Sequence, residues 1–179
     1  MIVRRKDGFP RIMGVLNITP DSFFEDSRSN NISETIKIAE SMIQNGADWL
    51  DIGGESTRPG ANPVSEEEEI SRVIPVVREL RKQFPETGIS VDTRRAKVAE
   101  LSLNEGADMI NDISALSDEN MINVIKDSDC YICLMHMKGL PENMQNNPCL
   151  LYTSPSPRDQ RGSGFRGCGW KKKGGGGGG

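Results

Sequence analysis

A strand-to-helix unit repeats along residues 10–136 of this chain. The repetition is clearest in two similar segments, Gly46-Ala-Asp-Trp-Leu-Asp-Ile52 and Gly106-Ala-Asp-Met-Ile-Asn-Asp-Ile113. In each segment, a glycine that would end a helix is followed at once by an apolar strand. Alternating strands and helices predict a parallel sheet, because each helix carries the chain back to the start of the next strand.

Short apolar runs rich in β-branched residues mark the strands. Five are readable: Arg11–Leu16, Asp48–Ile52, Ile89–Asp92, Met109–Asn111 and Tyr131–Met135. The intervening stretches carry helix signals. Residues 32–45 have apolar side chains at helical spacing, with Ser33 as the expected N-cap and Gly46 just past the end.

A second helix begins at a capping box formed by Ser65 and the glutamates after it. We interpret this acidic run as structural, because it lies near the positive end of the helix dipole. Pro75 falls inside the same helix and predicts a kink there.

The regular repeat favours a closed (β/α)8 TIM barrel, an α/β fold, over an open doubly wound sheet. Within residues 1–148, neither G-x-G-x-x-G nor a P-loop motif occurs, so a Rossmann or nucleotide-binding sheet has no support there. A complete barrel needs about 250 residues and eight strands. The sequence therefore predicts a barrel truncated after about five βα units, with three strands missing.

The apolar periodicity ends near Pro148, which predicts a domain over residues 1–148. Residues 149–179 finish with Lys171–Lys173 and six glycines. We interpret this segment as a sequencing or assembly artefact, with a native disordered tail as the alternative, and we expect no regular structure in it.

Composition excludes several functional classes. A net charge of −4 gives no basic excess for nucleic acid, and no apolar run approaches the length of a membrane span. The N-terminus lacks the apolar core of a signal peptide, so we expect a cytoplasmic protein. Cys130 and Cys133 form a C-x-x-C that could indicate zinc or redox chemistry, but we interpret them as buried thiols of a strand.

Every predicted strand ends in polar residues. In a barrel these ends carry the active site, and here they present Asn17, the segment Gly53–Gly60, Asp92, Asn111 with Asp112, and His136. Each has a structural alternative: an Asx turn for Asn17, a helix cap for Asp92 or Asn111, and core packing for His136. Together they predict a site for a polar small molecule.

Two loops after the strands are longer than a βα turn requires, Asn17–Asp26 and Gly53–Gly60. Gly53 and Gly54 would let backbone N–H groups approach an anion, and Thr57 and Arg58 would add a hydroxyl and a cation. We expect phosphate-like charge nearby, although a plain mobile loop would explain the same residues.

Five segments, in this order, resemble the motifs of dihydropteroate synthases. They are Met13-Gly-Val-Leu-Asn-Ile-Thr-Pro-Asp-Ser-Phe23, Asp48-Trp-Leu-Asp-Ile-Gly-Gly-Glu-Ser-Thr-Arg-Pro-Gly-Ala61, Ile89-Ser-Val-Asp-Thr93, Ile110-Asn-Asp-Ile113 and Leu134-Met-His-Met137. The likeness runs from about residue 7 to Pro148.

The resemblance implies a transferase of folate biosynthesis. It would condense (7,8-dihydropterin-6-yl)methyl diphosphate with p-aminobenzoate, giving 7,8-dihydropteroate and pyrophosphate with the help of Mg²⁺ and without a covalent nucleophile. By the same likeness, Asn17 would bind the Mg²⁺-diphosphate and Thr57 the pterin diphosphate. Asp92 and Asn111 would hold the pterin ring, and Phe23 and Arg58 would line the p-aminobenzoate pocket. Full-length members are expected to form homodimers.

The later motifs of that family are absent from this sequence, among them D-P-G-I-G-F and a final Arg-x-His pair. We therefore expect the 179-residue chain itself to be inactive. Two alternatives remain: the methyltetrahydrofolate-binding domain of a corrinoid methyltransferase, which would lack the diphosphate loops, and a non-catalytic half barrel.

Overall fold

Residues 5, 8–18, 28–55, 64–135 and 168–172 are described in a computed structural model of the chain. Six strands alternate with four helices in the order β1 Met13–Asn17, α1 Arg28–Gln44, β2 Trp49–Gly53, α2 Glu66–Gln83, β3 Gly88–Asp92, α3 Ala96–Asn104, β4 Met109–Asp112, α4 Met121–Lys126, β5 Tyr131–Met135 and β6 Cys168–Lys172. All five predicted strands are confirmed, with ends within two residues of the expected ones.

The strands lie in the sheet in the order in which they occur along the chain. Each adjacent pair of strands from β1 to β5 is parallel, and one helix joins the two strands of each pair. A doubly wound sheet would instead reverse its strand order at a switch point. The sequential order is what a (β/α)8 barrel requires of consecutive units.

The two faces of the sheet are packed differently. The larger apolar cluster joins one strand face, which includes Leu50, Ile89 and Ile110, to buried side chains from all four helices. A smaller cluster, which we call the inner cluster, contains Trp49, Met109 and Cys133. It lies on the opposite face of the sheet, which we call the inner face. Among the described residues, therefore, helices cover one face only, which is the arrangement of a barrel wall and not of a doubly wound sheet.

The end of α1 and the start of α2 are set by local sequence signals. Gly46 follows α1 with φ +98°, a left-handed conformation that favours glycine. Ser65 caps α2, because its Oγ accepts a hydrogen bond from the Glu68 N–H at 3.1 Å. α2 continues through Pro75 to Gln83.

The expected N-cap of α1 is wrong. α1 begins at Arg28, so Ser33 lies inside the helix. The apolar spacing that located this helix starts only at Ile32, and the polar first turn before it gives no periodic signal.

Cys130 and Cys133 are both buried and form no disulfide, which confirms their interpretation as buried thiols. Cys133 packs with Trp49 and Met109 on the inner face of the sheet, whereas Cys130 precedes β5 and contacts Ser128 Oγ at 3.1 Å.

β6 lies in the segment for which we expected no regular structure, and it pairs with β5 in antiparallel register. That expectation is therefore wrong for residues 168–172. An edge strand offers unpaired N–H and C=O groups that any extended segment can satisfy, so this pairing requires no apolar periodicity in β6. Within the described residues, no helix combines the length and the apolar character that a membrane crossing needs.

Candidate functional site

Four residues form one row across the carboxyl ends of the first four strands. Asn17 is the register partner of Gly53, Gly53 of Asp92, and Asp92 of Asn111. Register partners on parallel strands point to the same face, about 4.8 Å apart. This face is the inner one, because Cys133, the next partner of Asn111, belongs to the inner cluster. The structure thus brings together Asn17, Asp92 and Asn111.

Gly53 keeps open the space between Asn17 and Asp92. A Cβ placed on Gly53 would lie 3.6 Å from Asn17 Oδ1, 3.8 Å from Asp92 Cβ and 3.9 Å from Asp92 Oδ2. The glycine therefore leaves a gap lined by an amide oxygen and a carboxylate oxygen.

Gly54 has a packing role in the structure, and the anion approach that we expected of its N–H group stays a prediction. A Cβ at Gly54 would come within 2.7 Å of Val73 Cγ2 and 3.0 Å of Glu69 Cγ, both on α2. Gly54 is needed so that α2 can pack closely against the end of β2.

A polar layer lies beneath the row. Asp51 precedes Gly53 by two residues and so shares its face. Its Oδ1 accepts from Ser90 Oγ at 2.6 Å, and its Oδ2 accepts from Asn111 Nδ2 at 3.1 Å. Ser90 is fully buried and Asp51 nearly so, whereas Asp92 and Asn111 are half-buried. The site therefore has a closed polar floor and an accessible upper row.

Two carboxyl groups described on the inner face, those of Asp92 and Asp51, have raised pKa values. Burial raises the pKa of Asp92 to about 7, and repulsion from neighbouring carboxylates adds to the shift, those of Asp51, Glu69, Asp112 and Glu55. Burial also raises the pKa of Asp51, against the opposing effect of its hydrogen bonds with Ser90 and Asn111. A buried carboxyl with a shifted pKa in a cleft is typical of functional sites.

Ion pairs join the ends of the β2–α2 and β3–α3 connections. Glu55 accepts from Arg94 Nη2 at 3.1 Å and from Arg95 Nη1 at 3.2 Å. Arg95 also pairs with Glu69, which is almost fully buried, and donates to the Val64 carbonyl. These contacts stabilise the frame around the row, and sequence reasoning missed them.

The structural alternatives for Asp92 and Asn111 are wrong. α3 has Arg95 as its N-cap and α4 has Asn120, so neither Asp92 nor Asn111 caps the helix after its strand. Asp112, in contrast, is structural. It is fully buried and accepts from the backbone N–H groups of Ser114 and Leu116, so it shapes the turn after β4.

The donor set near Gly53 suits a hard cation in part. Asn17 Oδ1 and Asp92 Oδ2 are oxygen ligands of the kind that Mg²⁺ prefers. Across the described ranges, no group of three or more His, Cys, Asp and Glu side chains could hold a metal by itself. The residues fit an ion that takes one or two protein oxygens and completes its shell with water or a substrate.

The sequence profile of pterin binding enzymes matches residues 13–158, which include the whole row and its floor. The chain belongs to the pterin-binding enzyme family. One relative, dihydropteroate synthase from Escherichia coli strain K12, is 47% identical to this chain over 139 residues. The aligned residues make up 78% of this chain and 49% of that protein.

Solved structures of the family agree with the fold. Yersinia pestis dihydropteroate synthase, crystallised with a sulfonamide drug, gives a TM-score of 0.70 at 45% identity and covers 79% of this chain and 51% of its own. Burkholderia cenocepacia dihydropteroate synthase, complexed with 7,8-dihydropteroate, gives 0.63 at 43% identity, covering 76% and 44%. This family member thus spans about half the length of the relatives that it matches, and half of their TIM barrel.

Four of the residues predicted for the site of this family member lie outside the described residues: Phe23, Thr57, Arg58 and His136. Their roles stay predictions. Asp51 is one of the described residues that sequence reasoning missed. A charged residue inside a buried strand, two positions before the site glycine, was the signal that could have found it.

Proposed function

We propose that this chain carries the pterin-binding half of a dihydropteroate synthase. The complete reaction would join (7,8-dihydropterin-6-yl)methyl diphosphate to p-aminobenzoate, forming 7,8-dihydropteroate and releasing pyrophosphate. The observation that supports the proposal best is the row of Asn17, Asp92 and Asn111 in one register, above the buried pair of Asp51 and Ser90.

The chemistry of the row suits a dihydropterin. Such a ring carries N–H donors and ring acceptors along one planar edge, and a carboxyl group beside an amide can satisfy both kinds. Asp92 and Asn111 lie on adjacent strands and are only half-buried, so both can be reached by a ring that enters from the carboxyl ends of the strands. The raised pKa of Asp92 means that a bound N–H donor would relieve an unfavourable buried charge.

Asn17 is the exposed member of the row and would face the diphosphate. Its Oδ1 is a ligand for Mg²⁺, which would neutralise charge on the leaving pyrophosphate when bound. Thr57 would contact the pterin diphosphate, and Phe23 and Arg58 would line the p-aminobenzoate pocket. No side-chain nucleophile is required, because the residues bind and orient the two substrates and the aromatic amine itself attacks.

The rival functions receive less support. The relatives described above carry the name dihydropteroate synthase, not that of a corrinoid methyltransferase. A non-catalytic half barrel would not require the gap at Gly53 or a carboxyl with a pKa of about 7 beside it. We also propose a cytoplasmic location and, for a protein of the relatives' length, a homodimer.

Binding of 6-hydroxymethylpterin to the full 179-residue chain tests the pterin site. We expect saturable binding that Asp92→Ala weakens by about tenfold or more, because a buried hydrogen-bond partner is lost. Calorimetric titration measures both dissociation constants. Asp127→Ala, an exposed aspartate after α4, is the matched control and is expected to bind like the unchanged chain.

The assay of pyrophosphate release tests the catalytic half of the proposal. We expect no turnover from the 179-residue chain alone, with the full-length Escherichia coli relative as positive control. Turnover comparable to that relative would contradict the expected inactivity. An affinity unchanged by Asp92→Ala would remove Asp92 from the pterin pocket.

A further inference from the structure

Asp51 is a buried carboxylate to which the proposed chemistry gives no task. It lies in the middle of β2, one layer below the row, and only 6% of its surface is exposed. Among the ion pairs of the described residues, none involves Asp51. A buried carboxylate without a cation is unfavourable unless hydrogen bonds compensate for its burial. The role of Asp51 is therefore defined by its hydrogen bonds.

Both oxygens of Asp51 are used as acceptors. Ser90 Oγ donates to Oδ1 at 2.6 Å, and Asn111 Nδ2 donates to Oδ2 at 3.1 Å. Because both oxygens of Asp51 accept, Asn111 presents its amide nitrogen, and not its amide oxygen, to the carboxyl group. Nδ2 is turned toward the floor, and Oδ1 is turned away from Asp51.

We propose that Asp51 is a positioning residue, which fixes the amide of Asn111 and thereby sets the hydrogen-bond pattern that the site offers to a ring. The inference rests on the proposed function, because it requires a heterocycle lying against Asp92 and Asn111. With the amide fixed, Asn111 Oδ1 and the Asp92 carboxyl are acceptors on neighbouring strands. A ring edge with N–H donors fits this pattern, and an edge with carbonyl groups does not.

Ser90 supports the same arrangement from below. It is fully buried and two residues before Asp92, so its side chain lies on the inner face in the layer of Asp51. By donating to Oδ1, Ser90 leaves Oδ2 free for Asn111 and holds the plane of the carboxylate. The polarity of the upper row is therefore set by residues that no ligand touches.

The substitution Asp51→Asn tests this role with little change in size. An asparagine can donate as well as accept, so the amide of Asn111 would no longer be held in one orientation. Asp48→Asn is the matched control. It makes the same change at the other end of β2, where the carboxylate pairs with Arg5 Nε at 2.9 Å, far from the row.

Nuclear magnetic resonance reads the orientation directly, without a ligand. In the full 179-residue chain we expect a hydrogen-bond coupling between Asn111 Nδ2 and the Asp51 carboxyl carbon, and a single pair of Asn111 side-chain amide signals. Asp51→Asn should double or broaden that pair, and Asp48→Asn should leave it unchanged. A single unchanged pair in Asp51→Asn would overturn the proposal.

The binding of two ring compounds tests how the orientation of the Asn111 amide affects ligand preference. 6-Hydroxymethylpterin carries a 2-amino donor, and 6-hydroxymethyllumazine carries a 2-oxo acceptor at the same position. We expect the unchanged chain and Asp48→Asn to prefer the pterin by about tenfold or more, and Asp51→Asn to reduce that preference toward unity. A preference that survives Asp51→Asn would refute the positioning role.

The outcomes separate the two proposals. If neither ring binds the unchanged chain, the proposed function fails, and the amide signals of Asn111 still decide the role of Asp51. If Asp51→Asn unfolds the chain, Ser90→Ala replaces it. That variant removes the 2.6 Å hydrogen bond to Oδ1 and should reduce the preference for the pterin partly, whereas an unchanged preference would count against the proposal.

Discussion

Asp92 and Asp51 both have raised pKa values, but they are used differently. Asp51 is hydrogen-bonded on both oxygens within the protein, whereas Asp92 is half-buried at the upper row. The charge of Asp92 is opposed by burial first and by nearby carboxylates second. Asp92 is therefore the carboxyl whose protonation a ligand can change.

The pKa of Asp92 makes a prediction about stability. The folded chain holds the Asp92 proton up to a pH of about 7, above the ordinary carboxyl pKa of 3.8. Stability due to the neutral form is thus fully present below the ordinary pKa and is lost as the pH rises through 7. Asp92→Asn mimics the neutral form, so it should match the unchanged chain near pH 4 and be more stable at pH 8, by about 1–3 kcal/mol.

Urea unfolding at the two pH values measures this difference. Asp108→Asn is the control. It breaks the ion pair in which Arg81 Nη2 lies 2.6 Å from Asp108 Oδ2, so it should not gain stability at high pH. Equal midpoints for Asp92→Asn and the unchanged chain at pH 8 would show that the charge of Asp92 is not opposed in the folded state.

The sequence predicted Asn17, Asp92 and Asn111 because all three end strands, and strand ends of a parallel sheet converge. It did not predict Asp51, because a single aspartate within an apolar strand gives no sign of which neighbour it contacts. The contacts with Ser90 and Asn111 join residues 39 and 60 positions away along the chain. Only the register of three strands brings them together.

The close packing of α2 on β2 gives a prediction about helix and strand. Gly54→Ala would place a methyl group 2.7 Å from Val73 Cγ2, so α2 must shift, and we expect a loss of about 1–3 kcal/mol in the free energy of unfolding. Gly53→Ala is the control on the adjacent residue. Its methyl group would meet ordinary contacts at 3.6 Å or more, so we expect the fold to remain and pterin binding to fall.

Thermal unfolding and calorimetric titration of both variants check this contrast. A Gly54→Ala chain as stable as the unchanged chain would mean that α2 does not depend on close approach at Gly54.

Strands were easier to predict than helix starts. β5 was predicted with its observed ends, Tyr131–Met135, because a short apolar run bounded by polar residues predicts a strand of that length. α1 was predicted four residues late, because its first turn is polar on all sides and carries no periodic signal. Apolar spacing locates the apolar face of a helix, and it gives no signal for a first turn whose residues are all polar.

In the part of the chain whose side chains the structure describes, the apolar residues of both clusters lie at or before Cys133. We therefore expect a chain of residues 1–148 to keep the helical content and the urea midpoint of the 179-residue chain. Circular dichroism of both chains checks this. A loss of more than about 1 kcal/mol would indicate that β6 contributes to stability beyond its backbone pairing with β5.

The class of fold followed from the sequence, because alternating strands and helices allow few arrangements. The presence of β6 did not follow, since its pairing depends on an available edge of β5 and not on a pattern within residues 168–172. Motif order predicted the family, and the profile match to residues 13–158 confirmed it.

The alignment of Asn17, Gly53, Asp92 and Asn111 across four strands makes the chain intolerant of single insertions. Adding one amino acid within any of these strands would turn its terminal side chain from the inside of the wall to the helix side. The same restriction on length applies to each of the four strands. We therefore expect insertions to be tolerated only in the connections between the strands and helices.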